Sequence, residues 1–317
     1  MRVPTTFGKR ALIHQQERQI KMRYFLAFEG EKTEYQYFAG IIKYQEYLKI
    51  NPVIEIIPLS RHLHQKGLSH PKNICKQMEE EMKMLHTGEL TLKSLVDHLS
   101  DWVLKNSSKP RTQRENLSRK LLRDLGKKHG HIPETIVSGS KDLVVQQICD
   151  LLDTYEAIEV SPETISAFHQ YLKQQKQYNK RDGDKACIII DRDSGSFTAA
   201  QYNDVLTHCK KSNLDLFVTN PRFEFWLLLH FLQKQEIDVD KICASPEPGK
   251  EPYLENLLHQ HYPSFSKHHV PFDPLKDKIT VAMENEKSFC EDIEQLKDHI
   301  GCNIGLLLSE LMQNNES

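Results

Sequence analysis

Three carboxylates stand where apolar runs stop. "YFLAFEGEKTEYQYF" (Tyr24 to Phe38) opens with five apolar or aromatic residues and meets Glu29-Gly30. It then turns acidic and helix-like through Glu31 and Glu34. "CIIIDRD" ends a second apolar run on Asp191 and Asp193. Side chains alternate along a strand, so Asp191 and Asp193 are expected on one face and Arg192 on the other. The strands of a parallel sheet end on a shared edge, where open α/β sheets place their ligands. If the Glu29 strand neighbours the Asp191 strand, three acids converge in one crevice and raise one another's pKa. A divalent cation, magnesium or manganese, would relieve that repulsion through oxygen ligands while retaining waters for phosphate oxygens. Such an ion activates water and stabilises charge developing on a phosphate. The alternative for each acid taken singly is a helix cap, because a carboxylate is stabilised at a helix N-terminus. Glu-Gly at one strand end combined with Asp-x-Asp at another favours the metal.

The elements that must position these acids alternate at both ends of the chain. Tyr24 to Phe28 reads as a buried strand and Glu31 to Leu48 as a helix. "NPVIEIIPL" (Asn51 to Leu59) is β-branched and bounded by prolines, hence a second strand. "HPKNICKQMEEEMKML" starts a helix with Pro71 in its first turn. Later come the strand Lys185 to Asp191, the helix "SFTAAQYNDVLTHCKK", the strand "NLDLFVTNP" and the apolar helix "RFEFWLLLHFL". This order implies an α/β fold with a mainly parallel sheet and flanking helices, built from 22–84 and 183–317. Residues 85–182 interrupt it and read as an all-α insertion. In "LTLKSLVDHLSDWVL" the apolar positions 92, 95, 96, 99, 102 and 103 form a helical stripe. "SPETISAFHQYLKQQ" carries Ser161 as N-cap and Pro162 at the first helical position. The tail from Asp273 to Met312 is expected to be helical.

Composition narrows the partners. The 317 residues are 38% hydrophobic and 27% charged, with a net charge of -2. Any nucleic-acid binding must therefore come from local basic patches. No apolar run approaches the roughly 20 residues that span a bilayer, and the N-terminal sequence lacks the apolar core of a secretory signal. The seven cysteines are scattered singly, which fits reduced thiols and a cytoplasmic location. The histidines of "RHLHQ" and "KHHV" have no zinc-ligand spacing and read as surface residues. No phosphate-binding P-loop is present, since "SGSK" has the wrong glycine spacing.

At "FEGEKTEYQYF", "IIIDRD" and "TNPRFEFWLLLHF" the sequence resembles the Toprim domain, and more closely the RloB-like (AbiL-type) Toprim proteins of bacterial anti-phage defence loci. Weaker echoes are "KGLSHPKNI", "DKITVAMENEKSF" and "CNIGLLLSELM". The resemblance covers about 22–82 and 185–312 of the chain. It implies Glu29 as metal ligand and general base, with Asp191 and Asp193 as metal-binding aspartates. Glu31 and Lys32 would serve a second metal position or contact phosphate. Asn220 and Glu224, in "NPRFEFW", would line the same crevice, with helix N-terminal charge stabilisation as the alternative for Glu224. Trp226 and Leu227 to Leu229 read as core. Two departures stand out: the long insertion, and Asn303-Ile304-Gly305 where the family usually has proline after the asparagine.

The leading expectation is a metal-dependent nuclease acting on DNA or transfer RNA as a defence effector. Lys105, Lys109, Arg111, Arg114, Arg119, Lys120 and Arg123 in the insertion are the candidates for holding the polyanion, against the reading of a solvated helix face. A folded RNA could be recognised there by shape and phosphate contacts. The rival is a non-catalytic protein that docks on and regulates an ABC- or AAA-type ATPase. A primase or topoisomerase ranks third, because no zinc-ribbon cysteines accompany the acids. Oligomeric state is left open.

Overall fold

The computed structural model describes residues 22–30, 32–59, 70–105, 117–155, 178–193, 195–243 and 252–312. The first half runs β1 (Met22–Phe28), α1 (Thr33–Lys43), β2 (Ile54–Pro58) and α2 (Pro71–Thr87). Three helices follow: α3 (Leu92–Lys105), α4 (Leu117–His129) and α5 (Lys141–Thr154). Alternation then resumes with β3 (Lys185–Asp191), α6 (Ala199–Ser212), β4 (Asp215–Asn220) and α7 (Phe223–Leu228). The remainder is α8 (Val239–Cys243), α9 (Tyr253–His261), α10 (Asp273–Lys276), α11 (Ile279–Glu286), β5 (Gly301–Cys302) and α12 (Ile304–Met312).

The sheet order is β2-β1-β3-β4-β5, parallel except for β5 against β4. The chain therefore steps outward from β1 to β2, crosses back, and continues outward on the other side through β3 and β4. The reversal falls between β1 and β3, the position at which open α/β sheets form a crevice beyond their strand ends.

Alternation along the strands sorts the core into two layers. Tyr24, Leu26, Phe28, Cys187, Ile189 and Phe217 pack with α1, α7 and the C-terminal helices. Phe25, Ala186, Ile188, Ile190 and Val218 pack on the opposite face with α2, α6 and α3 to α5. Ala186 to Ile190 are all buried, as expected of a central strand covered on both faces. Each large apolar side chain so enclosed contributes about 1.5–3 kcal/mol.

Local signals set several boundaries. Pro71 occupies the first position of α2, and the preceding His70 accepts the Lys72 N–H. Thr198 and Gln201 form a reciprocal cap on α6, and Asn213 ends that helix in a left-handed conformation. The helix predicted from Glu31 to Leu48 is shorter and spans Thr33–Lys43. The predicted all-helical tail is also corrected, because β5 and the turns before it break it. Asn303 supplies the physical reason. Its Oδ1 accepts the Val218 N–H at 2.7 Å and its own N–H goes to the Val218 carbonyl, so the segment completes the edge of β4.

Within 85–182 the described residues form α3, α4 and α5, with one isolated β-bridge between Thr91 and Ile136. Leu92, Leu95, Val96 and Leu99 are buried, as the stripe predicts, in the same apolar cluster that covers one face of the sheet. The helix expected after Ser161 lies outside the described residues. The described cysteines are free thiols. No described helix is long and apolar enough to cross a membrane.

Candidate active-site crevice

The strand register brings the first two acids together. Phe28 lies opposite Ile189, and the Glu29 N–H continues the ladder by donating to the Ile189 carbonyl at 2.9 Å. Two residues beyond Ile189, the Asp191 N–H donates to Glu29 Oε2 at 3.0 Å. The N-terminal acid and the later aspartate thus meet across the β1–β3 reversal. Asp191 has the same strand parity as Cys187 and Ile189, so it faces α1 and α7. Thr219, opposite it on β4, donates its hydroxyl to Asp191 Oδ1 at 2.7 Å.

Two further acids reach Asp191 from that side. Glu34 lies in the first turn of α1 and Glu224 in the first turn of α7, and both are buried. Loss of hydration, then the charges of Glu34, Glu224 and Glu29, push the Asp191 carboxyl well above its ordinary range. The Thr219 hydroxyl works in the other direction. Glu224 is also raised, chiefly by burial and then by Glu255. Its own backbone N–H, Lys267 and Arg222 lower it. Four carboxylates therefore share the crevice: Glu29, Glu34, Asp191 and Glu224.

Gly30 makes room for this cluster. Glu34 Oε1 accepts the Gly30 N–H at 2.9 Å, and a Cβ on Gly30 would sit 1.9 Å from Glu34 Oε2. Only glycine lets the carboxylate fold back over the strand end.

Other predicted residues fall elsewhere. β3 ends at Asp191, so the same-face argument does not extend to Asp193, whose Oδ1 accepts the Gly195 N–H at 3.1 Å. Arg192 points to the opposite face as predicted, over the Phe197 and Tyr202 rings, with Nη1 donating to the Phe197 carbonyl. Asn220 is buried, and its amide donates to the Leu296 and His299 carbonyls at 2.7 and 3.0 Å. It therefore holds the loop before β5. Lys32 contacts His268 Nδ1 at 3.0 Å. Glu31 lies outside the described residues.

The basic run of the insertion is divided. Arg119, Lys120 and Arg123 are exposed on α4; Lys120 lies over the Tyr155 ring and Arg123 pairs with Asp124. Lys105 closes α3, its side chain outside the described ones, and Lys109, Arg111 and Arg114 lie outside the described residues.

The site list drawn from sequence omits Glu34. Its signal was present, an acid buried one helical turn after Glu-Gly, but the direction of that turn depends on tertiary packing. The donor set suits a hard divalent cation: all four groups are carboxylates, and the charges of Glu34, Glu224 and Glu29 bear on Asp191. Among the described residues, no group of three or more His, Cys, Asp or Glu side chains stands in ligand geometry for a metal ion, and here two of these oxygens, Glu34 Oε1 and Glu29 Oε2, accept backbone N–H groups.

No curated protein and no solved structure matches the chain significantly. The family model described as "RloB-like protein" matches residues 111–311, a span containing Asp191, Asp193 and Glu224 and beginning after Glu29 and Glu34. With most of its length matched, including the strand that carries Asp191, the chain belongs to the RloB-like family.

Proposed function

We propose that this chain is a Toprim-type, divalent-metal-dependent nuclease that hydrolyses phosphodiester bonds in DNA or transfer RNA. The observation that carries the reading is the meeting of Glu29 with Asp191 across the sheet reversal, with Glu34 and Glu224 adding charge to the same point. Four acids converging at the sheet reversal, with like charges raising one of them, favour a functional site.

Glu29, Glu34, Asp191 and Glu224 would hold magnesium or manganese, with Asp193 at the rim. When bound, the ion polarises the scissile phosphate and lowers the pKa of an attacking water. Thr219 orients Asp191 through its hydroxyl, and the Asp191 amide orients Glu29. Glu29 would also take a proton from the attacking water.

We place the enzyme as the effector of an anti-phage system, with any ATP hydrolysis supplied by a separate ABC- or AAA-type ATPase. The purified protein should cut plasmid DNA or total transfer RNA with magnesium or manganese and not with a chelator. Glu29→Ala and Asp191→Ala should abolish cleavage, and toxicity in cells, while retaining the wild-type circular dichroism spectrum. Cleavage that persists in both variants would remove the proposal.

A further inference from the structure

Beside the acids lies a second, basic group that the basic run of the insertion had overshadowed. Glu255, in the first turn of α9, is 5% exposed. Its Oε1 accepts from Arg222 Nη1 at 3.0 Å and pairs with Lys267 Nζ at 2.7 Å. Arg222 immediately precedes α7, two residues before Glu224, and both cations act electrostatically on Glu224. On the α1 side, Lys32 Nζ meets His268 Nδ1 at 3.0 Å, and Gln36 Nε2 donates to the His268 carbonyl at 3.0 Å. Gln36 Oε1 also accepts the Val270 N–H. The segment carrying Lys267 and His268 is thereby fastened to the first turns of α1, next to Glu34.

Two cations thus flank one buried anion at the edge of the acid crevice, and Lys32 stands on the adjoining segment through His268. A single carboxylate cannot use all the donors of the two cations. Arg222 has five N–H donors and Lys267 three, and Glu255 engages one of each. The Lys267 side chain is 58% exposed and that of Arg222 39%, so their remaining donors face solvent. A buried acid that fixes two half-exposed cations is costly as a stability device, because an ion pair must offset the desolvation of its buried partner. It is well suited to holding positive charge at a set position.

We propose that Arg222, Lys267 and Lys32 form the clamp for the sugar-phosphate backbone of the nucleic acid at this crevice, with Glu255 as the positioning residue that anchors the first two. This assignment rests on the nuclease reading of the neighbouring acids. It places backbone binding at the crevice rim instead of on α4, where Arg119, Lys120 and Arg123 cover a solvated helix face. Arg222 is suited to two-point contact with a phosphate, and the lysines act as point charges.

The test uses the full chain with a fluorescein-labelled RNA hairpin and, separately, a labelled DNA duplex, in calcium to support binding without turnover and again in EDTA. Affinity is measured across a salt series. Lys267→Gln, Lys32→Gln and Arg222→Gln should each weaken binding several-fold. Each should also lower the slope of log affinity against log salt by about one. Glu255→Gln keeps every cation, so its slope should match the wild type while its affinity falls. Arg119→Gln and Arg123→Gln serve as the comparison on α4 and should leave both quantities unchanged. If the three cation variants bind with wild-type affinity and slope while the wild type still cleaves, the clamp is overturned and the nuclease reading survives. Loss of slope in Glu255→Gln equal to that in the cation variants would also overturn it. A wild type that neither cleaves nor binds either probe removes the nuclease reading, and the clamp with it.

Discussion

Two buried acidic sites in this protein look alike by burial and differ in what surrounds them. Glu286, at the end of α11, is 1% exposed and its carboxyl is pushed up to about 7, chiefly by loss of hydration. Its neighbours are donors. Oε1 accepts the Gly305 N–H at 3.1 Å, and the Ile304 amide and Cys302 also hydrogen-bond to it. A Cβ on Gly305 would lie 2.0 Å from Glu286 Oε2, so glycine admits the carboxylate to the start of α12. Asp191 is also raised by burial, but its charged neighbours are Glu34, Glu224 and Glu29. One acid is a helix cap satisfied by backbone donors. The other lies among like charges at the edge where the strand order reverses. A raised pKa alone does not tell these two acids apart; the charges of their neighbours do, with three carboxylates bearing on Asp191 and backbone donors bearing on Glu286.

That contrast can be broken by mutation, and the largest effect should be on catalysis. Asp191→Asn should reduce cleavage to background, whereas Glu286→Gln should leave it within a few-fold of wild type; single-turnover assays on the cleaved nucleic acid decide this. Equal losses in both would erase the distinction. Metal response should follow the same division. Manganese should raise the Tm of wild-type protein and of Glu286→Gln but not of Asp191→Asn, and the rise should shrink as pH is lowered, because protons compete for a raised carboxylate.

The next effect is on stability against pH. A carboxyl whose folded pKa is about 7 keeps a proton that the unfolded chain releases near 4.5. Stability from Glu286 is therefore full below about 4.5 and falls as pH rises to about 7, by up to about 1.4 kcal/mol per unit within the window. His230 has the opposite sign. Burial between Tyr37 and Trp226 lowers it to about 4, so its contribution is lost as pH falls from its ordinary value of 6.5 towards 4. Wild-type melts thus mix the two, and the difference between wild type and Glu286→Gln isolates the acid. A difference that does not change between pH 4.5 and pH 7 would contradict the cap's raised pKa.

Smaller effects should have opposite signs at the two sites. Glu286→Ala leaves the Gly305 N–H without its acceptor and should destabilise by about 1–3 kcal/mol. Asp191→Asn removes like-charge repulsion and keeps an acceptor for Thr219, so without metal it should stabilise the fold. Urea titrations in EDTA measure both.

Much of the crevice could be read before folding was considered, and particular residues show where reading stopped. Glu29 and Asp191 were legible because an acid at the end of an apolar strand is unusual and strand parity is local. Glu34 was visible only as one more acid in a helix start. Asp193 was placed by parity that ended with the strand. Asn220 looked like a crevice residue because it follows β4, yet its amide serves two carbonyls 76 and 79 residues away. The β5 segment carried helix-like composition on both sides, and only the free edge of β4 gave it a reason to extend.

By itself the sequence determined the alternating strands and helices, the covered central strand and the two acids at strand ends, since these depend on side-chain period and on where apolar runs stop. Strand order, and with it the meeting of Glu29 and Asp191, came from tertiary structure. So did the approach of Glu34 and Glu224 and the pairing of Glu255 with Arg222 and Lys267. These contacts join residues far apart in the chain or on separate elements, and their energies depend on distance and dielectric, which exist only once the layers have packed.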